Sequence, residues 1–164
     1  MPSGVLDATV VIGLAKGDVF HRLAAVYAPL YVPAGIRREV VQQGQGRAGV
    51  AELTQALGGW LTEIAANPAT AQQFAAVRSA VDREVLAVAK DQQVDQVLSD
   101  DKIVRREAQA LGLITVSTPE IVVLFKQQGL ISAVKPVLQL MRQRGFGIST
   151  ADYAHAVHAA GEPP

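Results

Sequence analysis

Residues 94–113, VDQVLSDDKIVRREAQALGL, constrain this chain more than any other stretch. An apolar run of Val94, Val97 and Leu98 ends on Ser99-Asp100-Asp101, after which Ile103, Val104, Ala108 and Leu111 recur at helical spacing up to Gly112. The pattern predicts a strand, an acidic tip and a helix. In a parallel α/β sheet the carboxyl ends of strands line the crevice where ligands bind, so two adjacent carboxylates there are placed for chemistry. The competing reading is that one Asp caps the helix, a role this residue type favours.

The rest of the chain repeats the alternation. Residues 4–7 are an apolar run closed by Asp7, followed by Ala8, Thr9 and the apolar VVIGLAKGD: a strand, a carboxylate at its end and a short helix. A second amphipathic helix is expected over residues 19–27, with Phe20, Leu23, Ala24 and Tyr27 on one face. Leu30, Tyr31 and Val32 form a second strand stopped by Pro33, and a helix opens at Ala34 with Ile36, Val40 and Val41 on its apolar face. Residues 44–49 are expected to be a mobile loop. A helix over residues 50–57, a strand over 60–64, a turn at Asn67-Pro68 and an Ala- and Gln-rich helix over 71–80 follow.

Asp82-Arg83-Glu84 opens a strongly apolar helix, and acidic residues suit its first turn because of the helix dipole. Ile114 to Val116 is a strand. Thr118 is expected to cap a helix over 121–128 with Pro119 at its first position and Gly129 at its end. A helix over 131–144 is broken by Gly145-Phe146-Gly147. Ser149 and Asp152 form a capping box for a last helix, and residues 161–164 are a tail. Strands alternating with helices at this spacing predict one α/β domain over residues 1–164, with four or five short strands.

At 164 residues the chain can bury a core without staples. Hydrophobic residues make up 49% and charged residues 18%, which points to a generous core or a buried partner surface. The absence of cysteine removes disulfide scaffolds, zinc–thiolate sites and cysteine nucleophiles, and fits a cytoplasmic location. The first apolar run is broken by Asp7 and follows no basic cluster, so it is not read as a signal peptide. No run approaches the ~20 residues of a membrane span. Fifteen Lys and Arg balance fifteen Asp and Glu, so any contact with a polyanion must be local.

Four carboxylates stand at suggestive places: Asp7 and Asp101 at strand ends, Glu39 in the helix after the second strand, and Glu84 at a helix start. Carboxylates from separate segments repel one another unless a cation lies between them, so their convergence would imply a bound metal. Oxygen-only ligation suits Mg²⁺ or Mn²⁺ and not zinc. Such ions activate water for in-line attack on a phosphodiester. Against this, Glu39 taken alone reads as an exposed helix charge. His155 and His158, three apart on the last helix, have no further ligand near them and read as a surface pair.

The stretches VLDATVVIGLAKGD, LYVPAGIRREVVQQG, VDREVLAVAK, QVLSDDKIVRREAQALGLITVSTPEIVVLFKQQGLI and RGFGISTADYAHAVHAAGE resemble the PIN-domain proteins. The resemblance is nearest to a branch of small prokaryotic PIN-like proteins grouped with the ribonuclease toxins of toxin–antitoxin pairs. It implies a three-layer α/β/α sandwich around a mainly parallel sheet. It makes Asp7, Glu39, Glu84 and Asp101 the catalytic acids, with Asp7, Glu84 and Asp101 on the metal and Thr9, Asp82, Ser99 and Asp100 in support. Two positions depart from the pattern: Ala8 stands where a hydroxyl residue is usual, and Arg83 where Gly is common.

The resemblance implies a Mg²⁺- or Mn²⁺-dependent endoribonuclease acting on RNA, with a small antitoxin as partner, and a homodimer. Arg37, Arg38, Lys102 and Arg105, with Arg83 and Arg106, are candidate phosphate contacts, although solvated helix faces and pairs with Glu39 and Glu107 account for them equally well. The alternative reading is a PIN-fold binding or regulatory protein with little or no nuclease activity, favoured by Ala8 and the zero net charge.

Overall fold

Short apolar runs buried on both faces are the sequence mark of a parallel sheet, and this chain carries several. The computed structural model describes residues 1–43 and 47–164. Its strands are β1 (Gly4–Leu6), β2 (Leu30–Pro33), β3 (Leu61–Ile64), β4 (Gln96–Leu98) and β5 (Ile114–Val116). All pair in parallel in the order β3-β2-β1-β4-β5. β1 is wholly buried, whereas β5, at the sheet's edge, leaves Ile114 60% exposed.

Around the sheet lie α1 (Ala8–Lys16), α2 (Ala34–Gln43), α3 (Val50–Ala56), α4 (Pro68–Gln72), α5 (Ala80–Asp91), α6 (Lys102–Ala110), α7 (Thr118–Gln127), α8 (Val134–Gln143) and α9 (Thr150–Ala159). One continuous core joins them, including Leu6, Leu14, Leu30, Leu86, Leu98, Phe125 and Met141. Among the described residues no helix is long and apolar enough to cross a membrane.

Several boundaries differ from the sequence expectation for physical reasons. Phe20–Ala25 is a 3₁₀ helix, not an α-helix over residues 19–27. Asn67 caps the short α4, and the Ala-rich segment leaves the helix after Gln72. There Arg83 takes the carbonyls of Val77 and Arg78 at 2.6 and 3.1 Å, and Ser79 caps α5. α8 begins at Val134, not at residue 131, because Pro136 has no N–H for a carbonyl one turn earlier and is tolerated only in a first turn. Of the loop expected at 44–49, residues 44–46 lie outside the described residues, and Gly49 precedes α3 in the left-handed region at φ 102°.

Glu162 is not loose tail. Its carboxylate accepts the backbone N–H groups of Val134 at 2.7 Å and Lys135 at 3.3 Å, closing the start of α8.

Candidate active site

The strand order places a switch point between β1 and β4: the chain runs outward from β1 through β2 to β3, then returns to β4 and continues to β5. Crevices outside the carboxyl ends of strands at such points are where open α/β sheets bind ligands. Asp7 follows β1 and Ser99-Asp100-Asp101 follow β4, so the structure brings together two acidic segments 92 residues apart.

Asp7 is only 3% exposed, and both its oxygens are occupied. Oδ1 accepts the Thr9 hydroxyl at 2.8 Å and the Val10 N–H at 3.0 Å, which makes Asp7 the cap of α1. Oδ2 accepts the hydroxyl of the fully buried Ser99, whose own oxygen accepts the Asp101 N–H at 3.1 Å. Burial raises the Asp7 pKa to about 6 against the lowering effect of these donors, and the charge of Asp100 adds to the rise.

The neighbouring acids divide the structural work between them. Asp101 is the residue that caps α6: Oδ1 accepts the N–H groups of Ile103 at 2.9 Å and Val104 at 3.0 Å. Asp100 does not cap. Its two oxygens accept the N–H of Thr118 at 2.8 Å and its hydroxyl at 2.6 Å, tying the β4 tip to the start of α7. Ser117, one residue before the expected Thr118, caps α7 with Glu120 as its reciprocal partner.

On α5 the two acids part company. Glu84 accepts the Gly35 N–H at 2.9 Å and lies 3.9 Å from Arg38, so it is turned to the start of α2. Asp82 is half-buried, and its pKa is raised by burial first and then by the charges of Asp101 and Glu39. Glu39 shares a hollow of about 250 Å³ with Ala8, Lys16 and Arg47. Among the described residues none of Asp7, Glu39, Asp82, Asp100 and Asp101 forms an ion pair.

Among the described residues no three His, Asp or Glu side chains form a ready-made ion cage. The chemistry of the donors nonetheless fits a hard divalent cation. They are all oxygens, like charges repel, and among the described residues none of these acids is in an ion pair. His155 lies on a hollow between α7 and α9 that shares Ser117, Pro119, Glu120 and Asp152 with the cleft lined by Asp100.

The candidate phosphate contacts are unequal. Arg37 is engaged by Glu63 at 2.8 Å, and Arg106 lies 3.7 Å from Glu107. Arg83 is spent on backbone carbonyls, and Arg105 lies 3.5 Å from Glu120 and 3.4 Å from the Ser99 carbonyl. Lys102 is exposed at the start of α6 and has no ion-pair partner among the described residues.

A cleft of about 430 Å³ opens beside the acids, and Thr9, Asp100, Lys102, Arg105 and Phe146 are among the residues lining it. The sequence pattern assigns Thr118 a capping role and not its hold on Asp100, and it assigns no role to Phe146, which walls the cleft. The S-x-x-E spacing from Ser117 to Glu120 could have released Thr118 from the capping role. Phe146 carries no comparable signal.

No curated protein matches the chain. A family model described as a PIN domain matches residues 3–162, in agreement with the all-parallel sheet flanked by helices. The chain belongs to the PIN-domain family.

Proposed function

We propose that the protein is an endoribonuclease dependent on Mg²⁺ or Mn²⁺ and the toxin of a prokaryotic toxin–antitoxin pair. PIN domains are in general nucleases, which supports phosphodiester hydrolysis. The observation that carries the reading is the Asp7–Ser99–Asp101 chain of hydrogen bonds across β1 and β4. It ties the Asp7 carboxylate to the backbone of the β4 tip, where Asp101 stands, and the raised pKa of Asp82 reflects the charge of Asp101; both support the reading.

Asp7, Asp82 and Asp101 would hold the ion, with Glu39 beside them. Asp82 takes the place expected of Glu84, whose carboxylate is engaged by Gly35. A bound divalent ion supplies a lowered water pKa and neutralises charge developing on a phosphodiester. The chain's own residues set the geometry: Thr9 and Val10 orient Asp7, Thr118 orients Asp100, and Lys102 offers a cation to the RNA backbone.

The test is cleavage of RNA by purified protein with Mn²⁺, compared with Asp7→Asn and Asp101→Asn. Loss of cleavage in both variants, and on adding a chelator, is expected. Equal cleavage by all three proteins overturns the reading. For the toxin role, expression without a partner should arrest growth, and Asp101→Asn should relieve the arrest. A small antitoxin and a homodimer belong to the same proposal, and co-purification and size-exclusion chromatography test them.

A second reading, a binding or regulatory protein on this scaffold, is favoured by one observation: protein donors already reach both oxygens of Asp7 and fill three of its roughly four acceptor positions. Calorimetric titration separates the two, since absence of Mn²⁺ binding at millimolar concentration supports the second.

A further inference from the structure

The cleft beside the acids has a wall that nothing in the metal chemistry requires. Phe146 stands in the turn after α8, between Gly145 at φ 89° and Gly147. Its N–H is bonded to the Met141 carbonyl at 2.9 Å. The far end of the ring sits over Gly13 of α1, where an added Cβ would lie 2.7 Å from Cζ. Glycine at this position seats the ring against the helix, and the half-buried ring lines the cleft.

We propose that this cleft is a nucleobase subsite for single-stranded RNA, with Phe146 as the stacking surface and Lys102 as the contact for the adjoining phosphate. The proposal rests on the ribonuclease reading and extends it to the form of the substrate. At about 430 Å³ the cleft falls in the size range of small-ligand sites. Asp100, Glu120 and Asp152 line it against the two cations Lys102 and Arg105, and Arg105 lies 3.5 Å from Glu120, so the interior repels a phosphate but not a neutral base. The phosphate belongs at the rim, where Lys102, itself a lining residue, is exposed at the first turn of α6. Thr9 and Asp100 lie on both the cleft and the acidic crevice, so a base held here stands next to the acids. A base can enter only when splayed out of a helix, which selects single strands.

The test uses the full chain carrying Asp101→Asn, so that RNA is bound without being cleaved; Asn also serves as a helix cap, which preserves α6. Fluorescence anisotropy with Mg²⁺ compares a short single-stranded oligoribonucleotide with versions carrying one abasic site at successive positions. Stacking on an aromatic side chain corresponds to about 5- to 150-fold in affinity per base, so one abasic position should weaken binding within that range. Phe146→Ala should weaken the intact oligonucleotide similarly and abolish the abasic effect, and Phe146→Trp should restore both. The abasic series on the Phe146-containing protein decides the matter even if Phe146→Ala does not fold. Equal binding of intact and all abasic oligonucleotides overturns the subsite, as does a folded Phe146→Ala that binds like its parent. If the wild-type chain cleaves RNA while either result holds, only the subsite falls. If it neither binds nor cleaves RNA, the ribonuclease reading falls as well.

Discussion

Glu84 of α5 reaches across to α2 and accepts the Gly35 N–H at 2.9 Å. The bond fills one of the N–H groups that a helix start leaves without an internal partner, and it puts a negative charge where the helix dipole favours one. Gly35 is required for the approach, because a Cβ there would stand 2.4 Å from Glu84 Oε2. The pair fixes α2, and with it Glu39, relative to the central helix.

Gly35→Ala should therefore displace the Glu84 carboxylate and not merely crowd it. Loss of a hydrogen bond to a charged group that is partly exposed corresponds to about 1–2 kcal/mol. Glu84→Gln, which keeps an acceptor for Gly35, should lose less than Glu84→Ala. Urea unfolding of the three variants checks the order, and equal losses for Gln and Ala would show that the bond contributes nothing to stability.

Asp7 makes stability depend on pH in a direction opposite to a salt-bridged acid. Its folded-state pKa is raised from 3.8 to about 6, so the fold favours the protonated carboxyl. The unfavourable contribution of the ionised form is absent below the unfolded pKa. It grows as pH rises between the two values and is complete above about 6, where a shift of this size corresponds to roughly 3 kcal/mol. Metal-free Asp7→Asn should accordingly be more stable than the wild type at pH 7.5, and that difference should shrink toward pH 4. Thermal melts at the two pH values in a chelator check this, and a difference that does not change with pH would contradict it.

The sequence made the acids legible as positions but not as directions. β1 and β4 were readable because apolar runs closed by carboxylates are local patterns, and parallel pairing then placed Asp7 beside Ser99. Which acid of Asp82 and Glu84 turns to the start of α2 was not readable. Residues two apart on a helix project about 200° apart, so one must turn away, but only the packing of α5 against α2 decides which. Likewise, whether Asp100 or Asp101 caps α6 depends on where the strand ends, and strand ends are set by pairing with β5. The Phe146 contact with Gly13 joins residues more than a hundred positions apart, and nothing local in either segment announces it.

Thr118 is buried and gives Asp100 both a backbone and a hydroxyl donor. Thr118→Val removes one donor while keeping the volume, leaving a carboxylate oxygen short of its partner at a cost of about 1–3 kcal/mol. Thr118→Ser should retain the bond. Because Asp100 stands next to Asp101 on the β4 tip, the valine variant should also weaken Mn²⁺ binding, by about 10- to 100-fold if Thr118 acts as other residues that orient ligands do. Calorimetry on Thr118→Val and Thr118→Ser, alongside their melting curves, separates an orienting role from a purely structural one, which would lower stability and leave Mn²⁺ affinity unchanged.

The end of the chain supplies a last measurable contact. Glu162 accepts Lys126 Nζ at 3.0 Å as well as the N–H groups that open α8, and α8 lacks a capping side chain of its own because Ala133 stands at that position. Burial works against the charge, but the Val134 and Lys126 bonds outweigh it and hold the carboxyl below its usual pKa. That sign is opposite to the one at Asp7: the contribution is present above the unfolded pKa and is lost as pH falls through the folded value. Removing residues 162–164 should destabilise the protein by about 1–2 kcal/mol, the range for loss of a helix cap, whereas removing only Pro163 and Pro164 should leave the cap in place. Comparing the two truncations by urea unfolding at pH 7 decides whether Glu162 or mere chain length matters. Repeating the comparison at successively lower pH should narrow the difference as Glu162 takes up its proton, since a protonated Glu162 is a poorer acceptor for the start of α8.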